Sequence, residues 1–216
     1  MKNLLILEHP LIQELLTKLR DKKTSQIPFR KGLVTLGRIM GYELIKTMSI
    51  KKIKVETPIG QADGVEIPDR DNIVIVQILR ASMPFVEGLI KAFPEAKMGV
   101  VSAKRIEGSN DSDFRFKIEM DYMNVPEISQ DTILLLADPM LASGSTLLKV
   151  IDELLKLGNP KRLIVAAVIA SPLGVERLFQ NFPQAELIVA ALDPSLNDNG
   201  YIVPGLGDAG DRAFGG

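Results

Sequence analysis

Residues 131–146 have the sequence DTILLLADPMLASGST, which joins a buried strand to a loop of small residues. The apolar run 132–137 is typical of a strand that is covered on both faces. It ends at one carboxylate, Asp138, and the loop 142–146 supplies a glycine and three hydroxyls before a helical pattern begins. A helix N-terminus suits a phosphate, because it offers unpaired N–H groups and a positive dipole end. A carboxylate repels phosphate, so we expect Asp138 to face sugar hydroxyls or a metal, and the segment fits a ribose 5-phosphate.

Other classes of loop share parts of this pattern. The nucleotide-binding pattern GxxxxGK[ST] is absent, because no lysine follows Gly144. A GxSxG nucleophile elbow is absent as well, and the only histidine of the chain is His9. The remaining alternative is an ordinary strand–turn–helix in which serine and threonine only cap the helix.

Composition limits the class of protein. A chain of 216 residues that is 46% hydrophobic and 25% charged is typical of a soluble globular protein with one core. The net charge of −1 provides no overall field for nucleic acid or an anionic membrane, so we expect neither as a partner. The apolar run 163–170 is far shorter than the roughly 20 residues that span a bilayer. Without a signal peptide pattern or any cysteine, cytoplasmic localisation is expected.

The spacing of apolar residues predicts the elements. Helices are predicted at about 9–21 and 29–48, and an edge strand at 51–57. Five later apolar runs predict strands, at 72–79, 97–103, 132–137, 163–170 and 185–191, and the gaps carry helical patterns at about 84–93, 145–157 and 172–181. Strands that alternate with helices predict an α/β fold with a mainly parallel twisted sheet flanked by helices.

Polar residues follow three of these strands directly. Arg80 follows the first strand, Arg105 the second and Asp138 the third. Right-handed crossovers place the C-terminal ends of parallel strands on one rim, where ligands bind in such sheets. We therefore expect these three side chains to belong to one site.

The polar segment 104–126 has no clear period. Its length indicates either a lid that shields a reactive sugar from water or a surface β-excursion that serves in subunit contact.

The C-terminal segment 201–216, YIVPGLGDAGDRAFGG, is the second informative stretch. Residues 205–210 satisfy GxGxxG, but a dinucleotide fingerprint must open a helix early in a βαβ unit, and only six residues remain here. The glycines are better suited to a close approach of the backbone to a flat ligand. A small heterocycle could then be recognised by main-chain groups, with Asp208 nearby. A loose glycine-rich tail is the alternative.

Several segments together resemble the uracil phosphoribosyltransferases, within the type I phosphoribosyltransferase family. Residues 138–146 resemble the phosphoribosyl-diphosphate motif of that family, which carries one acid where most relatives have two, and Ala137 occupies the other position. Residues 78–81 resemble its pyrophosphate loop and residues 201–210 its uracil-binding segment. Four shorter segments also fit: His9-Pro10-Leu11, Arg20-Asp21-Lys22, Phe29-Arg30 and Glu56-Thr57-Pro58.

The resemblance implies the fold and the reaction. One phosphoribosyltransferase domain would span 1–216, with an N-terminal arm of helices and an edge strand (about 1–58), a core sheet (about 72–192), the lid or excursion (about 104–126) and a base-binding hood (about 193–216). It would transfer the 5-phosphoribosyl group of phosphoribosyl diphosphate to uracil, giving UMP and pyrophosphate, with Mg²⁺ as cofactor.

The resemblance also implies roles for individual residues. Asp138 would hold the ribose hydroxyls, Arg105 would neutralise the departing pyrophosphate, and Asp208 would organise the diphosphate through magnesium and water; these are the implied catalytic residues. The implied contacts to phosphoribosyl diphosphate are Arg80, Ala81, Ser82, Arg105, Asp138, Pro139, Met140, Leu141, Ala142, Ser143, Gly144, Ser145, Thr146 and Asp208. The implied contacts to uracil are Tyr201, Ile202, Gly207, Asp208 and Ala209.

Two positions depart from the family pattern. Ser82 stands where the family usually has glycine, and the family's Tyr-Tyr pair is not recognisable in Asp121-Tyr122-Met123.

Regulation and assembly are expected as well. Arg30, Lys31 and Arg38 form a basic cluster that either binds a regulatory nucleotide such as GTP or is a solvated helix face. A homo-oligomer, dimer or tetramer, is expected.

Other functions fit parts of the same pattern. The chain could be another phosphoribosyltransferase or a non-catalytic regulator that binds phosphoribosyl diphosphate. It could also be a dinucleotide-dependent oxidoreductase, an interpretation for which residues 205–210 are the only support.

Overall fold

The structure is a computed structural model that describes residues 3–106 and 113–215. The strands of this part of the chain are β1 Leu4–Ile6, β2 Lys51–Thr57, β3 Gly60–Glu66, β4 Ile73–Leu79, β5 Lys97–Arg105, β6 Ile118–Asn124, β7 Ile133–Ala137, β8 Met140–Leu141, β9 Arg162–Ala170, β10 Glu186–Leu192, β11 Ser195–Leu196 and β12 Ile202–Val203. Its helices are α1 Pro10–Arg20, α2 Gln26–Ile45, α3 Met83–Ala92, α4 Ser145–Leu155, α5 Pro172–Asn181 and α6 Ala209–Phe214, with a 3₁₀ turn at Pro68–Asn72.

The main sheet has the strand order β1-β10-β9-β7-β4-β5-β6, and β8 pairs with β9 as a side branch. All these neighbours are parallel except β5 and β6, which are antiparallel. The carboxyl ends of β4, β5 and β7 therefore lie side by side on one rim, as the sequence predicted.

Helices cover both faces of the sheet, which explains the continuous apolar strands. Alternate residues of β4 point to opposite sides: Ile73 and Ile75 join a core with α1, α2 and α3, whereas Val74 and Val76 join a core with α4 and α5. Every residue of β7 is buried. At about 25 cal/mol per Å² of buried apolar surface, this two-sided burial is the main stabilisation of the fold.

The predicted fold class is confirmed. The five strands of the core and the three helices between them are present, each within about two residues of its predicted bounds, which is the usual uncertainty of element ends. The helices predicted before residue 50 are also present, although α2 begins and ends three residues earlier than expected.

The strand predicted at 51–57 is present, with the predicted bounds. It pairs with β3 in a separate two-stranded hairpin and does not join the main sheet. Most side chains of both strands are exposed, so β2 has no apolar face to bury against a helix layer. The edge beside β10 is occupied by the three-residue strand β1, which is too short for a periodic pattern to predict.

The segment 104–126 contains an antiparallel excursion at the sheet edge. Ile118–Asn124 pairs with β5, with an irregular register between Ser102 and Ala103. Residues 107–112, which complete the predicted lid, lie outside the described residues.

Candidate active site

A cavity of about 350 Å³ opens at the carboxyl ends of the central strands. Its walls come from the ends of β4, β5 and β7, from the start of α4 and from the C-terminal hood. The lining residues are Ile78, Leu79, Arg80, Ala81, Ala103, Arg105, Asp138, Met140, Ala142, Thr146, Gly200, Tyr201, Asp208, Ala209, Gly210 and Asp211. The structure therefore brings together residues of the loop after β4, Arg105, the segment 138–146 and the C-terminal hood, which are separated by up to 133 positions in the chain.

The loop after β4 forms one wall. The Leu79–Arg80 peptide is cis, and the Arg80 guanidinium lies 3.2 Å from a carboxylate oxygen of Asp211. Ser82 does not line the cavity, because its buried hydroxyl donates to the carbonyl of Ile78 at 2.6 Å, just before the start of α3. The Ser82 side chain thus stabilises the loop after β4, and the parts of this loop that line the cavity are Arg80 and its neighbours Leu79 and Ala81.

Asp138 lies at the base of the cavity. One of its oxygens accepts the N–H of Met140 at 3.1 Å, which turns the chain out of β7. Burial raises the pKa of this carboxyl to about 6, although the Met140 N–H and the charge of Arg105 act in the opposite direction. A half-buried, partly desolvated carboxylate with unused acceptor positions suits a ligand that offers hydroxyl donors.

The small-residue loop leads into α4 as predicted. Gly144 has φ +81°, a conformation that favours glycine, and it is the N-cap residue of the helix. Ala142 and Thr146 line the cavity, whereas Ser143 is fully buried. The predicted contacts Pro139, Leu141, Ser143, Gly144 and Ser145 are not among the lining residues.

Helix α5 supports this loop from behind. The Ser171 hydroxyl donates to the carbonyl of Ala142 at 2.7 Å. The Arg177 guanidinium donates to the carbonyl of Ser143 at 3.1 Å, and also to the carbonyls of Asp113 and Phe114. One arginine therefore connects the small-residue loop to the segment that returns to β6.

That returning segment lies against the cavity. The N–H of Phe116 donates to the Ser145 hydroxyl at 3.1 Å, and the Arg105 guanidinium lies 4.6 Å from the centre of the Phe116 ring. A cation at this distance from an aromatic face is held electrostatically. Arg105, the last residue of β5, therefore lines the cavity and packs against the segment that returns to β6.

The C-terminal hood closes the opposite side. Tyr201, Asp208 and Ala209 line the cavity, whereas Ile202 and Gly207 do not. Asp208 is the N-cap of α6, and its side chain accepts the N–H of Asp211 at 3.0 Å.

Few side chains at the cavity could hold a metal ion, and Asp208 is the one that the sequence assigned to magnesium. Within residues 3–106 and 113–215 there is no group of three or more acidic, histidine or cysteine side chains that could hold a metal. Mg²⁺ commonly uses one or two carboxylates, substrate phosphates and water, so Asp208 beside a diphosphate fits this ion.

The basic cluster of α2 is divided by the structure. Arg30 and Lys31 line a groove of about 740 Å³ between α2 and α3. Arg38 lies outside that lining, and its Nε donates to the Tyr42 hydroxyl at 2.9 Å.

Several site residues were not predicted. Asp211 pairs with Arg80, and its position three residues after Asp208 matches helix-capping spacing, which could have indicated it. Phe116 and Arg177 carry no local pattern, because their importance depends on contacts with the small-residue loop.

The rim cavity of this mainly parallel α/β sheet is lined by a small-residue loop, a lone carboxylate and a basic loop, an arrangement that agrees with the class of phosphoribosyltransferases. The family model described as uracil phosphoribosyltransferase matches residues 6–216. The chain belongs to the uracil phosphoribosyltransferase family.

Individual proteins agree with this assignment. The uracil phosphoribosyltransferase of Pyrococcus furiosus is 53% identical over 96% of this chain and 88% of its own length. That of Pyrobaculum islandicum is 52% identical over 97% of each chain. Among solved structures, the AQ2163 protein from Aquifex aeolicus superposes with a TM-score of 0.87 at 36% identity and 98% coverage of both chains.

Proposed function

We propose that this protein transfers the 5-phosphoribosyl group of phosphoribosyl diphosphate to uracil, giving UMP and pyrophosphate, a step of pyrimidine salvage. The observation that carries the proposal is the single rim cavity lined by Asp138, Thr146, Arg80 and the hood residues, in a chain of this family. The cavity has room for a sugar phosphate and a small heterocycle side by side, and it has chemically distinct walls for each.

The ribose phosphate is held at the base of the cavity. Asp138 accepts hydrogen bonds from the ribose hydroxyls, and the loop 142–146 binds the 5-phosphate with its backbone N–H groups and with the hydroxyl of Thr146, which lines the cavity. The Ser143 and Ser145 hydroxyls lie 3.1 Å apart and hydrogen-bond to each other within the loop. Pro139, Met140 and Leu141 shape the connection between these two parts, where β8 pairs with β9 and Met140 lines the cavity.

The diphosphate lies between the loop after β4 and Arg105. When the bond from the ribose C1 to the diphosphate breaks, negative charge accumulates on the leaving oxygen. N1 of uracil forms the new bond from the opposite face and releases its proton to water. Arg80 and Arg105 stabilise that charge, while Ala81 and Ser82 contribute through the backbone, since the Ser82 hydroxyl is bonded to Ile78.

The base lies under the hood. Uracil presents adjacent carbonyl and N–H groups that match a main chain edge, so the backbone of Ile202, Gly207 and Ala209 recognises it, with Tyr201 and Asp208 at the margin of the cavity. Bound Mg²⁺ would neutralise part of the diphosphate charge, and Asp208 would hold it through water.

The proposed whole protein is one phosphoribosyltransferase domain that acts as a homo-oligomer. The hairpin β2–β3 supports oligomerisation, because Val65 is 66% exposed and Ile59 fully exposed, and an isolated two-stranded hairpin is at best marginally stable in water. A regulatory nucleotide such as GTP is proposed for the groove beside Arg30 and Lys31, with Arg38 at most at its periphery.

The cytoplasm is the proposed compartment, with neither nucleic acid nor a membrane as partner, as the net charge of −1 favours. None of the helices within residues 3–106 and 113–215 is long and apolar enough to cross a bilayer.

The test is release of pyrophosphate with a panel of bases, each with and without Mg²⁺. We expect activity with uracil that Arg105→Ala lowers by about a hundredfold or more, the usual effect of removing one group that stabilises transition-state charge. The matched control is Arg70→Ala, in the 3₁₀ turn before β4, which should leave activity unchanged. Activity with another base in place of uracil would contradict the substrate assignment.

A further inference from the structure

A buried ion pair lies behind the hood, outside the cavity. Arg20, the last residue of α1, donates two hydrogen bonds of 2.6 Å to the two carboxylate oxygens of Asp193. Asp193 follows β10 and is only 4% exposed. Bidentate pairs of this kind fix both partners in direction as well as in distance.

The same ion pair hydrogen-bonds to both the backbone N–H and the backbone carbonyl of Gly205 in the hood. The N–H of Gly205 donates to Asp193 at 2.9 Å, and its carbonyl accepts from Arg20 at 2.8 Å. Gly205 has φ +61°, and a Cβ at this position would lie 2.1 Å from the carbonyl oxygen of Ile202. The chain is therefore turned tightly here, and the ion pair fixes the turn.

A second arginine holds the next residue. Arg212 of α6 donates to the carbonyl of Leu206 at 2.8 Å and to the carbonyl of Asp21 at 2.7 Å. Its guanidinium lies 4.2 Å from the centre of the Phe29 ring. The hood is thus fastened to the turn between α1 and α2.

These contacts end where the proposed uracil contacts begin. Gly205 and Leu206 are buried and bonded inward, whereas Gly207 is exposed and Asp208 and Ala209 line the cavity. The direction of the backbone at 207–209 therefore depends on how Gly205 is held.

We propose that Arg20 and Asp193 are positioning residues for base recognition, which hold the turn at Gly205 so that the backbone at 207–209 faces the base in a fixed geometry. Neither of them lines the cavity. The proposal rests on the proposed function, because it assumes that the hood binds the base.

The effect of a change depends on which partner is altered. Arg20→Ala would leave a buried carboxylate without its partner, which is strongly destabilising and would not separate positioning from folding. Arg20→Lys keeps the positive charge, but one ammonium group cannot reproduce the planar fork that contacts both Asp193 oxygens and Gly205. Asp193→Asn is the second variant, because it keeps an acceptor for the Gly205 N–H and removes the charge.

The matched control is Arg162→Lys. Arg162 makes the same bidentate contact with Glu186, at 2.8 and 2.7 Å, but at the start of β9 on the opposite rim of the sheet. Its replacement should lower the melting temperature without altering either KM.

The experiment measures steady-state kinetics for both substrates and amide hydrogen exchange of the peptide 201–209 without ligand. For Arg20→Lys and Asp193→Asn we expect the KM for uracil to rise roughly tenfold to a hundredfold, as small misplacements of recognition groups do. The KM for phosphoribosyl diphosphate should rise by a smaller factor, because Asp208 is only one of its proposed contacts and Arg80, Arg105 and Asp138 approach it from other elements. Exchange of the 201–209 amides should accelerate.

Three results would overturn the inference: unchanged exchange in 201–209, an equal rise of both KM values, or an equal rise of the uracil KM in Arg162→Lys. The exchange result is independent of the substrate. A parent protein that releases no pyrophosphate with uracil would instead refute the proposed function, even if exchange in 201–209 accelerates as expected.

Discussion

The ionised Asp138 carboxylate is disfavoured by burial, yet it is the form that would accept hydrogen bonds from a ligand in the cavity. Its carboxylate is desolvated by the surrounding strand ends, so its pKa rises to about 6 in the ligand-free protein. Because the folded state binds this proton more tightly than the unfolded state, the contribution of Asp138 to stability is greatest at low pH and decreases as the pH rises from about 4 to about 6. At neutral pH the ionised form costs stability, which a ligand with hydroxyl donors would offset.

Replacement of this carboxylate should therefore separate stability from function. Asp138→Asn keeps the oxygen that accepts the Met140 N–H, so we expect the ligand-free protein to gain about 1 kcal/mol at pH 7.5, after discounting the pKa shift for partial exposure. Binding of phosphoribosyl diphosphate and UMP formation should both be lost. Urea unfolding at about pH 4 and pH 7.5, together with calorimetric titration, would measure these effects.

Asp131→Asn is the matched control for this change, since Asp131 is exposed and lies just before the other end of β7. It should change neither stability nor binding by a measurable amount. A loss of stability in Asp138→Asn at pH 7.5 would contradict the assignment of a destabilising ionised carboxyl.

Among the elements, α5 contributes to the site without lining it. Arg177 fixes the carbonyls of Ser143 and Phe114, so α5 supports the small-residue loop and the segment returning to β6 at once. Arg177→Ala should leave the loop poorly ordered, and we expect the KM for phosphoribosyl diphosphate to rise about tenfold.

The accompanying measurement is the KM for uracil, which should change little because the hood has separate supports. Glu176→Ala, at the neighbouring position of the same helix, is the control for general effects on α5. Glu176 is exposed, and its carboxylate accepts a hydrogen bond from Gln180 one turn further along the helix. Equal changes in both KM values for Arg177→Ala would show that α5 does not act through the small-residue loop.

At the scale of the whole molecule, the hairpin β2–β3 lies outside the main sheet and exposes apolar side chains. If it packs against a second copy, Val65→Glu should shift the protein towards monomer, because a charge would be buried at the contact. Sedimentation velocity would measure the shift, and circular dichroism would check that the fold is retained.

Ala62→Glu tests whether any added charge on this hairpin has the same effect, because Ala62 is exposed on β3 but points to the face opposite to that of Val65. We expect that control to retain the parent's oligomeric state if the face that carries Val65 makes the contact. A parent protein that sediments as a monomer would refute the proposed oligomer.

The sequence determined the elements and the order of the site segments along the chain. Continuous apolar runs such as 132–137 indicate strands covered on both faces, and residues 142–146 contain their own turn and helix start, because period and capping are local properties. The family, the fold class and the rim that carries the cavity all followed from such local patterns.

Which side chains hold which loop depends on contacts between distant segments of the chain. The Ser82 hydroxyl donates to the carbonyl of Ile78, and Arg38 lies outside the groove that Arg30 and Lys31 line. Strand β2 pairs only with β3, outside the main sheet. Arg20 meets Asp193 across 173 positions and together they hold Gly205. Contacts over such separations depend on how packed elements fit together in space, and no spacing within one segment encodes that fit.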